Sequence, residues 1–195
     1  MNDKEYVENN LEQLKSFRDK ADLLASIHSK LSDQYKSWHT AISSILLLIS
    51  SILVGMTFIS DQFIKDSIGL MPNTWKWIVG IISILNFAGI LLLSEWKFQE
   101  SAASHREAVR FYFAIVNRIR ELVDRADKTE ITDETVEKVR ADYGRTQALP
   151  KIPDSRFLKL KQWHLQKVAI SREISKSPFQ SMKNIKKRMI DKEQE

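Results

Sequence analysis

The sequence predicts an all-α membrane protein: a two-helix transmembrane hairpin continuing into a cytoplasmic antiparallel helical coiled coil, with short C-terminal helices after it. Three observations predict this class. Residues 37–60 and 77–94 carry no charge, in a chain where 28% of residues are Asp, Glu, Lys or Arg. Tryptophans gather at the ends of these runs, and heptad-spaced apolar residues flank them.

At 1.5 Å of rise per residue the two runs reach roughly 36 and 27 Å, against a hydrocarbon core of about 30 Å. Each is expected to span as a helix, over about 38–60 and 75–96. Residues 61–74 contain Gly69 and Pro72, enough for a reversal and too little for a domain. Of the five tryptophans, Trp38, Trp75, Trp77 and Trp96 lie at the run ends, where amphipathic rings favour the interface of lipid and water. A buried core helix would need neither these belts nor a length matched to a bilayer.

Basic residues near the span ends set orientation. The loop side offers Lys65 and Lys76; Lys20, Lys30 and Lys36 precede the first run, and Lys97, Arg106 and Arg110 follow the second. Both termini are therefore expected in the cytoplasm. The first run begins too late for a signal-peptide core, and the segment before it carries seven acidic residues, unlike a positively charged leader, so it is expected to be retained. With no cysteine, disulfides and thiolate chemistry are excluded. The net charge of +5 is concentrated after the second run, where 22 basic residues face 15 acidic ones.

Val7, Asn10, Leu14, Phe17, Ala21, Leu24, His28, Leu31 and Tyr35 alternate at spacings of three and four. After the second run, Ala102, His105, Val109, Tyr112, Val116, Ile119, Val123 and Ala126 do the same. Each is a heptad seam. Neither segment has Gly or Pro between its seam and its apolar run, so each span is expected to continue outward as one rod. A hairpin would bring the two seams together. His28 and His105 then lie roughly 14 and 16 Å from the membrane edge and can share one layer. With Tyr112 on the same seam they are candidates for coupling, either as a proton-sensitive pair or as polar layers that set register.

Thr132 is a good N-cap for a helix through Tyr143, with Asp133 and Glu134 at its positive end and Gly144 as its stop. The domain is thus expected over 1–143, a linker with Pro150 and Pro153 over 144–153, and a basic helical extension over 154–195. One helix is expected from Asp154 or Ser155 toward Ser175, with apolar residues too dispersed for a clean stripe. Ser177, Pro178 and Gln180 predict another start, with Phe179, Met182, Ile185 and Met189 on one face. Lys183, Lys186, Lys187 and Arg188 lie around that face, and such a helix suits an anionic membrane surface. A solvated tail is the alternative, and nucleic acid is disfavoured because no aromatics are interleaved as stacking platforms.

No phosphate-cradling glycine loop, metal-ligand spacing or isolated carboxylate pair is present, so no catalytic residue, metal or cofactor is expected, and the chain is not read as an enzyme. The first run is amphipathic within itself. Ser37, Thr40, Ser43, Ser44, Ser50, Ser51 and Thr57 occupy one side of the wheel, and Ile42, Ile45, Leu48, Ile49, Ile52, Leu53 and Met56 the other. The hydroxyl side needs a helix or water. Ser51 and Gly55 form a small-xxx-small pair suited to close helix approach. The face either packs on a helix or lines a pore. Asn86, mid-way through the second run, needs a partner and carries the same two readings. Two helices cannot enclose water, so a pore requires a homo-oligomer.

The order of charged heptad helix, serine-bearing span, short loop and second span, with the stretch SAASHREAVRFYFAIVNRIREL over residues 101–122, resembles the SLATT family of bacterial two-helix membrane effectors. The likeness covers residues 15–143, and the helix with His105, Ala108 and Tyr112 matches best. It implies an effector that oligomerises and opens an ion-permeable pore in the bacterial inner membrane. It also implies a trigger from a nucleotide synthase or nucleotide-sensing partner in an anti-phage system. The alternative function is a non-conducting anchor or scaffold that recruits a soluble partner through its coiled helices.

Overall fold

The computed structural model describes residues 3–68, 71–125 and 131–193. Among the described residues there is no strand. The order is α1 (Asp3–Met56), α2 (Asp61–Phe63), a π-helical turn (Ile64–Ile68), α3 (Pro72–Glu95), α4 (Phe98–Arg125), α5 (Asp133–Gly144), a 3-10 turn (Arg145–Ala148), α6 (Asp154–Lys176) and α7 (Met182–Glu193). The chain divides into two compact units, one of Leu31–Ser104 and one of Met1–Lys30 with His105–Glu195.

In the central unit, α1 and α3 each hold an 18-residue window long and apolar enough to cross a membrane. Only 6% and 0% of those windows is buried inside the chain, the opposite of a core helix in a water-soluble fold. Trp38, Trp77 and Trp96 are exposed among them. On α1, Tyr35, His39, Ile42, Leu46, Ile49 and Leu53 are covered at alternating spacings of four and three, so the period of three and four continues into the apolar run. Leu46 approaches α3 at Gly89 so closely that a Cβ there would lie 2.9 Å from its Cδ2.

Continuity holds for the first rod, since α1 is one helix of 54 residues. It fails for the second. Trp96 closes α3 by donating its N–H to Leu92 O at 3.0 Å, and Lys97 turns to a φ of 44° before α4 begins. A left-handed residue breaks the helical path without Gly or Pro, which is why the break left no mark in the sequence. The expected reversal over 61–74 contains α2, capped by Ser60, whose hydroxyl accepts from Phe63 N–H, and the π-helical turn with Ile64 fully buried. Gly69 lies outside the described residues. Pro72 opens α3 at its first turn, where a missing N–H costs nothing.

The terminal unit is built on Leu14, Ala21 and Ala25 of α1 against Tyr112, Ile115 and Ile119 of α4. Ile131 and the α5 residues Val136 and Val139 close this core. Thr132 caps α5 as expected, accepting from Thr135 N–H. Buried Asn10 donates its amide to Asp133 Oδ1 at 3.1 Å, tying the start of α5 to α1. Gly144 ends α5 with a right-handed φ of −61°, so the chain runs on into the 3-10 turn rather than stopping in a left-handed cap. The expected linker is consequently partly ordered packing, with Leu149 against the core.

α6 starts at Asp154 as expected and lies along α1, where Lys30 Nζ stands 5.4 Å from the ring centre of Trp163. α7 starts later than expected. Ser177 is consumed as the C-cap of α6, its N–H donating to Glu173 and Ile174 carbonyls, and capping of α7 passes to Ser181, whose hydroxyl accepts from Asn184 N–H. The expected apolar face is therefore split: Ile185 is fully buried, Met182 is exposed, and Phe179, in the turn, is bare to solvent.

Candidate functional site

Two polar constellations, one in each unit, stand out from apolar surroundings. In the terminal unit, α1 and α4 present His28 and His105 to each other, with Nδ1 to Nδ1 2.8 Å apart and ring centres 5.0 Å apart. One Nδ1 must donate and the other accept, so two imidazolium rings cannot make this bond. Burial, then the charge of His105, lowers the His28 pKa to about 4, and burial lowers that of His105. Both rings are consequently held neutral near pH 7. Tyr112 stacks on His28, centres 5.6 Å apart at 22°. Burial raises its phenol pKa, and a hydrogen bond with Thr146 opposes that rise. Tyr143 continues the cluster 6.3 Å from Tyr112, and Phe17 lies 5.7 Å from Tyr143. The three candidates for coupling thus lie together.

In the central unit, Asn86 Nδ2 donates to Ser50 Oγ at 2.7 Å, and Ser50 donates in turn to Leu46 O at 2.9 Å. Asn86 Oδ1 is buried with no partner among the described residues. The serine side divides in two. Ser43 and Ser50 are half-covered, Ser50 against Asn86 of α3, whereas Ser44, Ser51 and Thr57 are exposed. Ser51 and Thr57 return their hydroxyls to Leu47 O and Val54 O, at 2.9 and 2.7 Å. Ser37, Ala41, Ser44, Leu48, Ser51 and Gly55 make an exposed line of mostly small residues at spacings of four and three. A Cβ placed on Gly55 would meet nothing within 4 Å.

Of the basic residues chosen for a membrane surface, Lys183 and Arg188 are exposed, and Arg188 hydrogen-bonds Gln180. The side chains of Lys186 and Lys187 lie outside the described residues. Sequence reasoning missed Thr146 and His164. His164 is 7% exposed in α6, with Nε2 4.0 Å from Asp22 and Nδ1 unpartnered among the described residues. Neither carried a local signal, because each contact joins segments distant in the chain. No cluster of three or more His, Asp or Glu suited to a metal occurs among the described residues. Comparison of the chain with protein-family models, with curated proteins and with solved structures finds no match.

Proposed function

We propose that this chain is a membrane effector that oligomerises through its two apolar helices and forms an ion-permeable pore in the bacterial inner membrane. In this reading α1 and α3 cross as a hairpin, both termini are cytoplasmic, and a nucleotide-signalling or anti-phage partner supplies the trigger. The observation that carries it is the exposed line of Ser37, Ser44, Ser51 and Gly55 on the uncharged, mostly apolar second half of α1. Lipid gains nothing from hydroxyls, whereas neighbouring subunits and a water column both do. The resemblance to two-helix SLATT effectors points the same way. α1, having no break, carries a displacement along its whole length.

One observation favours a non-conducting anchor instead: Ser51 and Thr57 satisfy themselves on their own backbone and need no water. Ion flux from liposomes separates the two. The pore reading expects leakage from vesicles holding the full chain, alone or with the product of its neighbouring gene, and loss of leakage without loss of assembly in Ser44→Leu with Ser51→Leu. Tight vesicles despite confirmed insertion and oligomers would leave the anchor as the function.

A further inference from the structure

The polar pair His28 and Tyr112 does more than fill a core, because both line a cavity of about 310 Å³ that opens to solvent. Its floor is His28 and Leu24 of α1 and Tyr112 of α4. Its wall is the segment after α5, with Thr146, Leu149 and Pro150, and Phe157 of α6 completes it. His28 and Tyr112 are only 2% and 5% exposed, so they are the most covered polar residues of its lining. Lys151, exposed, is the charged residue of the lining.

We infer that this cavity is a binding site for a small aromatic acid, with its ring between Phe157 and the aliphatic wall, its carboxylate at Lys151 and its inner edge at His28 and Tyr112. The volume is at the lower end of the range for small-ligand pockets, and an apolar wall with a few convergent polar groups is their usual make-up. The inner end offers the neutral imidazole and phenol described above, so a charge is unwelcome there, and the single cation at the mouth places the ligand's negative end outward. His28 Nδ1 is already committed to His105, which leaves Nε2 as the nitrogen an occupant would meet. An occupant therefore touches α1, α4 and the 3-10 turn at once.

Such a ligand would bias the relative placement of α1 and α4 in this unit, and a consequence for gating rests on the pore reading; binding itself does not. The test uses the full chain in phosphatidylcholine nanodiscs and 4-(trifluoromethyl)benzoate as probe, followed by fluorine NMR. Saturable broadening beyond that of empty nanodiscs is expected. Lys151→Glu should weaken it about two- to fivefold, the range that loss of an exposed charge contact allows. Ile152→Trp, which fills the cavity from its wall, should abolish it while helical content and melting stay unchanged. The neutral 4-(trifluoromethyl)benzamide should bind more weakly and ignore Lys151→Glu. Broadening equal to that of empty nanodiscs, or unaltered by both variants, overturns the site. Binding without ligand-dependent ion flux supports the site and counts against the pore alone.

Discussion

At the scale of single residues, the neutral histidine pair ties stability to pH. Both imidazoles have folded pKa values below the ordinary 6.5, so the folded state binds fewer protons than the unfolded one. Their contribution is complete above about pH 6.5 and is lost as pH falls, levelling off below about 4, the folded value of His28. Melting in nanodiscs should therefore drop more between pH 7 and pH 4.5 in the wild type than in His28→Gln with His105→Gln; parallel curves would refute the assignment. A second pair of substitutions tests Asn86. Ser50→Ala leaves the half-buried Asn86 Nδ2 without its acceptor and should cost about 1 kcal/mol in resistance to denaturing detergent. Asn86→Leu removes the orphaned Oδ1 along with that bond and should be neutral or stabilising. The meeting of His28 with His105 was legible because a seam spaced by three and four assigns each residue a layer. The division of the serines was not, because a wheel shows which residues share a side and not where on that side the neighbouring helix lies.

At the scale of elements, local chemistry was readable wherever a residue serves a single element. Thr132 caps α5 and Asp154 opens α6 as their types dictate. It misled where one residue had two employers: Ser177 suits the start of α7, yet ends α6. The break between α3 and α4 is the extreme case, since Lys97 is an ordinary helix former held at a φ of 44°. A non-glycine residue there costs roughly 1–2 kcal/mol. Lys97→Gly should consequently raise stability by about 1 kcal/mol, less the entropy that glycine adds to the unfolded chain, whereas the same change at exposed, mid-helix Arg110 should lower it by a similar amount. Chemical unfolding of the two variants side by side reads the difference. If both destabilise equally, the turn at Lys97 is not a fixed feature of the fold.

At the scale of the whole molecule, the central unit is a contiguous insertion, residues 31–104, into a unit made from the two ends of the chain. The terminal unit has its own core in Leu14, Ala21, Tyr112, Ile119, Val136 and Val139, and the buried amide of Asn10 is paired within it. Its two segments meet where they would be rejoined: His28 and His105, two positions before and at the cut ends, have ring centres 5.0 Å apart. A helix–helix loop of about five residues is a normal connection at such a point. Residues 1–30 joined to 105–195 by a short Gly/Ser loop should therefore fold as a helical protein without detergent. It should unfold in one transition and retain the pH dependence of the histidine pair. Circular dichroism and dispersed amide NMR would check this, together with a histidine titration in which His28 stays neutral well below pH 6.5. A collapsed, undispersed chain would mean that the terminal unit draws its order from the inserted helices, and the histidine layer would then be a product of those helices rather than of its own core.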